Sequence, residues 1–355
     1  MASRMPPHDR PVPITGRRAA RTEQWTAQAQ GKTLSAPPEG DLVMRVAAAQ
    51  ARPHWLDATA TARKAAAWIE AAAAQKVELL AFPETFLSGY PAWLEHTGGA
   101  RFDDDAQKRA YAAYLDAAVE LDGPELALVT EAARDLGVFV YLGTTERATG
   151  NARGTVFCTL VAIDPGAGVV SAHRKLMPTH EERLVWGIGD GHGLRVHPVG
   201  ETRVGGLNCW ENWMPQARHA LYAQGEELHV SVWPGNPRNT ADITRFIALE
   251  GRVFSLAANG LLSLADIPAG FPLRDALEEA GVAEYCRGGS AIAAPDGSWV
   301  VEPVADEERL IIADLDLAQV ARERQNFDPT GHYSRPDVFA VEVDRRRREA
   351  SRFRD

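Results

Sequence analysis

Residues 203–215 read RVGGLNCWENWMP. The first half, Arg203 to Asn208, is short, apolar and glycine-containing, which suits a buried strand. Pro215 opens a helical segment to Gln224, because proline is tolerated in a first helical turn and not deeper. Cys209 stands between the two. A strand-to-helix turn presents its side chain and aims backbone N–H groups at a developing anion, which is where a thiol nucleophile would be placed. The competing reading of a solitary cysteine is a small buried hydrophobe.

The pattern of an apolar strand ending on a reactive side chain occurs twice more. VELLAFPE, Val77 to Glu84, ends on a carboxylate, and HRKLMPTHEERLVWGIGDG, from His173, puts Lys175 just past the strand Val169 to His173. Strand ends are where a rigid scaffold can aim side chains into a shared pocket. Glu84 at the end of a buried strand would be pushed toward neutrality, into the range useful for proton transfer. Its plainer reading is a capping carboxylate, and that of Lys175 a surface lysine. The only lysines are Lys32, Lys64, Lys76, Lys108 and Lys175; the other basic positions are arginine. A lysine directly after Arg174 suggests a task that a compact ammonium performs and a guanidinium does not. Together the three residues propose a chemistry. Glu84 can take the thiol proton, and Lys175 can stabilise the charge that develops when sulfur attacks a nitrile or carbonyl carbon.

The remaining titratable groups offer less. Cys158, inside TVFCTLVAI, and Cys286 read as buried core thiols. Three widely spaced cysteines make no disulfide framework and suit a reducing cytoplasm. His173, His180, His192 and His197 are too irregularly spaced for a zinc motif, so neither metal nor cofactor is expected.

Outward from these segments, strands and helices alternate. Strands are expected at 42–50, 77–84, 138–143, 155–163, 169–173, 203–208, 227–233, 260–264, 290–293 and 310–314. Helices are expected at 58–75, 111–121, 124–136, 215–224 and 240–257. This is an α/β pattern with helices on both sheet faces. The hairpin-like connection around DPGAG, between Leu160 and His173, favours two mixed sheets over one parallel sheet. Residues 1–41 read as a flexible extension and 344–355 as a basic tail, with Arg345 to Arg348 solvated. Arg17 and Arg18 are followed by no apolar run, so no signal peptide is expected, and no stretch of about 18 apolar residues is present to span a membrane. With 38 basic against 48 acidic residues the formal charge is −10, which disfavours nucleic acid or an anionic membrane as partner.

The three segments resemble the signature blocks of the nitrilase branch of the carbon–nitrogen hydrolase superfamily. CWENWMP is similar to its nucleophile block, and RLVWGIGDG and FDPTGHYSRPDVF (327–339) resemble further blocks of that branch; 185–193 departs from them only at Ile188 and His192. The resemblance covers Leu42 to Val343 and implies a four-layer αββα sandwich. It also implies Glu84 as general base, Lys175 as the stabilising ammonium, Cys209 as nucleophile and Glu182 as a second glutamate that positions Lys175 and substrate. The implied reaction turns a nitrile into a carboxylic acid and ammonia through a thioimidate and a thioester. Implied too is a homodimer with stacked sheets, which relatives extend into spirals. An amidase or N-carbamoyl hydrolase would use the same triad, and a non-catalytic scaffold could keep the fold. Tyr90, Trp93, His180, Trp210 and Trp233 are the aromatic and imidazole side chains from which a substrate pocket is expected, Tyr90, His180, Trp210 and Trp233 foremost.

Overall fold

Strands buried on both faces are apolar at nearly every position, and that is how most strands of this chain read. The computed structural model describes residues 43–149, 152–348, 351 and 354. The expected extension, 1–41, and the expected strand start at Leu42 lie outside them. In chain order the strands are β1 (Val43–Gln50), β2 (Leu79–Ala81), β3 (Phe139–Arg147), β4 (Val156–Asp164), β5 (Gly168–Arg174), β6 (His197–Val199) and β7 (Thr202–Asn208). Then come β8 (Leu228–Trp233), β9 (Phe254–Asn259), β10 (Leu261–Ser263), β11 (Glu284–Ala293), β12 (Trp299–Ala305) and β13 (Arg309–Asp316).

They form two mixed sheets. The first has the order β13-β1-β2-β3-β4-β5, and the second β10-β11-β9-β8-β7-β6 with β12 beside β11. At the centre of each, three neighbours run parallel: β1, β2 and β3 in one, β7, β8 and β9 in the other. The two-residue side-chain period sorts each strand between layers. In β1, Val46 and Ala48 join the apolar layer between the sheets, which also holds Tyr141, Leu160, Val230 and Leu256. Ala47 and Ala49 face the opposite way.

Helices cover the outer faces. They are α1 (Ala58–Ala74), α2 (Trp93–His96), α3 (Asp105–Asp116), α4 (Pro124–Leu136), α5 (Pro215–Tyr222), α6 (Pro237–Gly251), α7 (Arg274–Ala280) and α8 (Ala318–Arg324). Ala62, Ala65 and Ile69 of α1 and Leu126 and Val129 of α4 pack with the outer residues of the first sheet. Ile243 and Ile247 of α6 pack with Trp233 and Ala257, and Ala217 and Leu221 of α5 with Leu207. The expected αββα order of layers is therefore present. A further cluster gathers Trp93, Tyr114, Trp186, Phe271 and Leu277 around Cys158.

The structure corrects several element boundaries. The helix expected over 240–257 ends at Gly251, where Arg252 takes φ 50° in the left-handed region, and FSLAAN then forms β9. Alanine-rich FSLAAN suits a helix as well as a strand, and arginine is a poor herald of a left-handed cap. The helix expected from Tyr111 begins at Asp105, because the Asp104 side chain accepts from the Gln107 N–H and fixes the first turn. β2 stops at Ala81, so Phe82 to Glu84 leave the sheet. β6, β12, α7 and α8 carry too little apolar period to be seen in advance. Finally, Arg347 of the basic segment is not simply solvated. It donates to Asp190 at 3.1 Å and to the Ala172 carbonyl at 2.8 Å.

Candidate active site

The C-terminal ends of parallel strands are where open α/β sheets place their ligands. Glu84 follows β2, Cys209 follows β7, and Lys175 follows β5. Three residues at these bends have left-handed backbones without being glycine: Thr85 (φ 50°), His180 (φ 48°) and Cys209 (φ 45°). Each such residue costs about 1–2 kcal/mol, strain that packing must hold and that concentrates at functional sites. Two glycines permit the close approach. A Cβ on Gly143 would lie 1.9 Å from the Pro83 carbonyl oxygen, and one on Gly189 would lie 2.5 Å from that of Lys175.

Lys175 is the centre of the site. Its ammonium donates to Glu84 Oε1 at 2.8 Å and to Glu182 Oε2 at 2.7 Å, and all three side chains are buried. Glu182 is held in turn by the Thr179 N–H on Oε2 and the Tyr90 hydroxyl on Oε1 at 3.0 Å. Cys209, 3% exposed, has its sulfur within 4.8 Å of carboxylate oxygens of both Glu84 and Glu182. Among the described residues Glu84 Oε2 is buried without a hydrogen-bond partner, an acceptor free to take a proton. Two carboxylates and a thiol this close could ligate a metal, but here the carboxylates already share the Lys175 ammonium, a cation supplied by the chain itself.

The electrostatics follow from burial. Burial pushes the Glu84 carboxyl up to about 7; the Lys175 charge opposes that shift and the Glu182 charge adds to it. Burial drives the Lys175 ammonium down, yet Cys209, Glu84 and Glu182 outweigh it and hold Lys175 above its ordinary value. Burial and the two carboxylates push the Cys209 thiol well up, against Lys175 and the Trp210 backbone N–H. The resting site therefore holds a thiol, which needs a base to react, beside a carboxylate poised near neutrality.

The structure thus brings together Glu84, Lys175, Glu182, Cys209 and, through its hydroxyl, Tyr90. The other expected pocket residues do not join them. Trp233 is buried at the end of β8 beside Cys209, but its carbonyl is what meets the site, accepting from the Glu84 N–H at 3.3 Å. Trp93 lies in the aromatic cluster under α3. Trp210 is 43% exposed and stacks on Trp213, and the His180 side chain is 82% exposed and pairs with Glu181. Each is one residue or a short turn from a catalytic candidate, and the left-handed bends at Cys209 and His180 carry the side chains outward. Sequence reasoning also passed over Cys158. Its thiol donates to Glu84 Oε1 at 3.2 Å, a contact that nothing in TVFCTLVAI signals.

A carbon–nitrogen hydrolase family model matches residues 45–325, so the chain belongs to that family of hydrolases acting on carbon–nitrogen bonds. Solved structures of the family share the fold: a Xanthomonas campestris superfamily protein with an arsenic adduct in its active site is 19% identical, with a TM-score of 0.59 over 80% of this chain and 95% of that one. Sequence places the chain in the nitrilase branch. It is 37% identical over 306 residues, 86% of this chain and 94% of the other, to a nitrilase of Bradyrhizobium diazoefficiens. It is 34% identical over 318 residues, 85% of this chain and 83% of the other, to an aliphatic nitrilase of Rhodococcus rhodochrous.

Proposed function

We propose that this protein is a nitrilase, hydrolysing an organic nitrile to the carboxylic acid and ammonia, with Glu84, Lys175 and Cys209 as catalytic residues and Glu182 positioning the lysine. The observation that carries the assignment is the Lys175 ammonium bridging two buried carboxylates within reach of the Cys209 sulfur. Glu84 takes the thiol proton as sulfur adds to the nitrile carbon. Proton return to nitrogen gives the thioimidate, with Lys175 stabilising the charge that builds there. One water adds, the C–N bond breaks and ammonia leaves, giving the thioester. A second water, deprotonated by Glu84, displaces the thiol and releases the acid. Two waters are consumed per nitrile.

The test is ammonia release from a panel of aliphatic, aryl and arylalkyl nitriles, with the corresponding amides alongside and with a thiol-blocking reagent as control. Nitrile turnover that the reagent abolishes supports the assignment. Turnover of amides alone makes the protein an amidase, and turnover of neither makes it a scaffold.

The same reading includes a homodimer. Trp210, Trp213 and Phe246 form an exposed aromatic stripe, with ring centroids 6.2 and 6.5 Å apart. Apolar area of this kind favours burial against a second copy. Sedimentation of wild type against Trp213→Glu tests it, with a shift toward monomer expected. Among the described residues no helix is long and apolar enough to cross a membrane, and the three cysteines are unpaired. Free thiols, one of them the nucleophile, suit the reducing cytoplasm, which is the location we propose.

A further inference from the structure

Lys175 and Cys209 follow strands of different sheets, and the layer between those sheets is apolar. Apolar packing is non-directional and sets no bond-length distances by itself. Catalysis by an ammonium on the adduct of a thiol requires such a distance. Some directional tie must therefore join the segment after β5 to the turn after β7.

Glu211 makes that tie. It lies two residues beyond Cys209, is 1% exposed, and takes no part in the steps above. Its Oε1 accepts from the backbone N–H of Asn208 at 2.6 Å, the residue before Cys209. The same oxygen meets His173 Nε2 at 2.8 Å, two residues before Lys175. Its Oε2 accepts from the backbone N–H of Leu176 at 2.9 Å, the residue after Lys175. One carboxylate thus grips the lysine segment on both sides and the nucleophile turn at its start. Burial alone would push the Glu211 carboxyl up, but His173 and the two N–H donors outweigh it and hold the group below its ordinary value, so it stays an acceptor.

We infer that Glu211 is a positioning residue that fixes the separation of the Lys175 ammonium and the Cys209 sulfur across the two sheets. This rests on the catalytic reading given above. The residue touches no reacting atom. It acts by holding two segments in register, and a carboxylate is required because only a group with two acceptor oxygens and no donor can satisfy all three partners.

The experiment compares Glu211→Gln and Glu211→Asp with wild type, on a nitrile the wild type hydrolyses. The readouts are kcat, KM, the rate of Cys209 alkylation by iodoacetamide, and melting temperature. Glutamine sets an amide donor against one of the two backbone N–H groups. Aspartate keeps the charge but is one methylene too short to span both segments. We expect kcat to fall about 100-fold in both, as for a displacement of roughly an ångström, with KM within about threefold. Folded Glu211→Gln protein with wild-type kcat and alkylation rate, merely melting lower, overturns the inference, as does full rescue by aspartate. Should neither variant fold, His173→Ala decides. It removes one charge-assisted anchor and leaves both backbone ties, so kcat should drop about tenfold at unchanged KM, and an unchanged kcat overturns the inference. Cys209→Ala, assayed in parallel, separates the two claims. If it still turns over, the catalytic reading has failed; if it is dead while the Glu211 variants retain full kcat, only the positioning role has.

Discussion

The two sheets contribute unlike halves to the site. The first carries the charged machinery: Glu84 after β2 and Lys175 after β5, joined by Glu182, with every ionic contact buried. The second contributes the Cys209 sulfur to the proposed reacting groups, on a left-handed turn. Their demands differ. The charged half sets two carboxylates on one ammonium, and removing a member of such a buried ion cluster leaves an uncompensated charge. The thiol half needs only position and a nearby base. Loss of the Cys209 sulfur should therefore remove chemistry without harming the fold, and substitutions in the charged half should harm both.

Cys209→Ala is the sharpest test of that contrast. We expect turnover to disappear, since no covalent route survives without the sulfur, and the melting temperature to stay within about a degree or two for so small a truncation. A strongly lowered melting point would show that the turn is part of the structural frame.

Lys175→Arg comes next. Arginine keeps the charge, but its planar fork is larger than the ammonium between Glu84 and Glu182 and cannot transfer a proton. We expect roughly 100- to 1,000-fold loss in kcat, close to that of Lys175→Ala, with both variants melting lower than wild type. Substantial activity in Lys175→Arg would reduce the residue to a positive charge of unspecified shape.

The pH profile addresses Glu84 directly. Its carboxyl is raised to about 7, so the base we propose is protonated below that pH and available above it. kcat/KM should therefore rise with pH through a midpoint near 7 and fall about tenfold per pH unit on the acid side, the apparent value belonging to the coupled cluster. Glu84→Gln should lose that limb and slow alkylation of Cys209 at neutral pH. A flat wild-type profile between pH 5 and 7 would remove Glu84 as the base.

The charged half was also the more legible from sequence. Glu84 ends an apolar run, where a charge is conspicuous, and Lys175, in a polar stretch directly after Arg174, is marked as a lysine among arginines. The two mixed sheets could be read from continuous apolar strand runs and the hairpin around DPGAG, whereas the αββα layering was implied only by the resemblance to the nitrilase branch. What escaped was set by neighbours distant in the chain. The side chains of Trp210 and His180 turn outward because of local left-handed backbones that no propensity marks. The β9 strand looked helical because alanine serves both states. Glu211 looked like one more residue of a short motif until Leu176, 35 positions away, was seen to donate to it. Hydrogen-bond partners across sheets leave no period in the sequence.

Cys158 yields the smallest predicted effect and shows where the two halves of the comparison meet the core. It sits on β4, fully buried, in the cluster with Trp186, and its sequence context is that of a packing residue. Yet its thiol donates to the same Glu84 oxygen that Lys175 holds. A donor to the ionised form favours that form, so this hydrogen bond draws the Glu84 carboxyl down against burial. Cys158→Ala removes the donor and leaves the rest of the base's surroundings in place. The acid limb of kcat/KM should then move to higher pH, with rates about twofold lower near pH 6 and unchanged near pH 8.5, where Glu84 is ionised in both proteins. Cys158→Ser keeps a donor at nearly the same point and should return the limb to its wild-type position. The melting temperature should fall in Cys158→Ala from lost packing, but that fall has no reason to depend on the pH at which turnover is read. If both variants melt lower while their limbs coincide with wild type, Cys158 is a core residue that happens to lie beside the base. If the alanine limb alone shifts, the thiol helps set the pH at which the nucleophile can be activated.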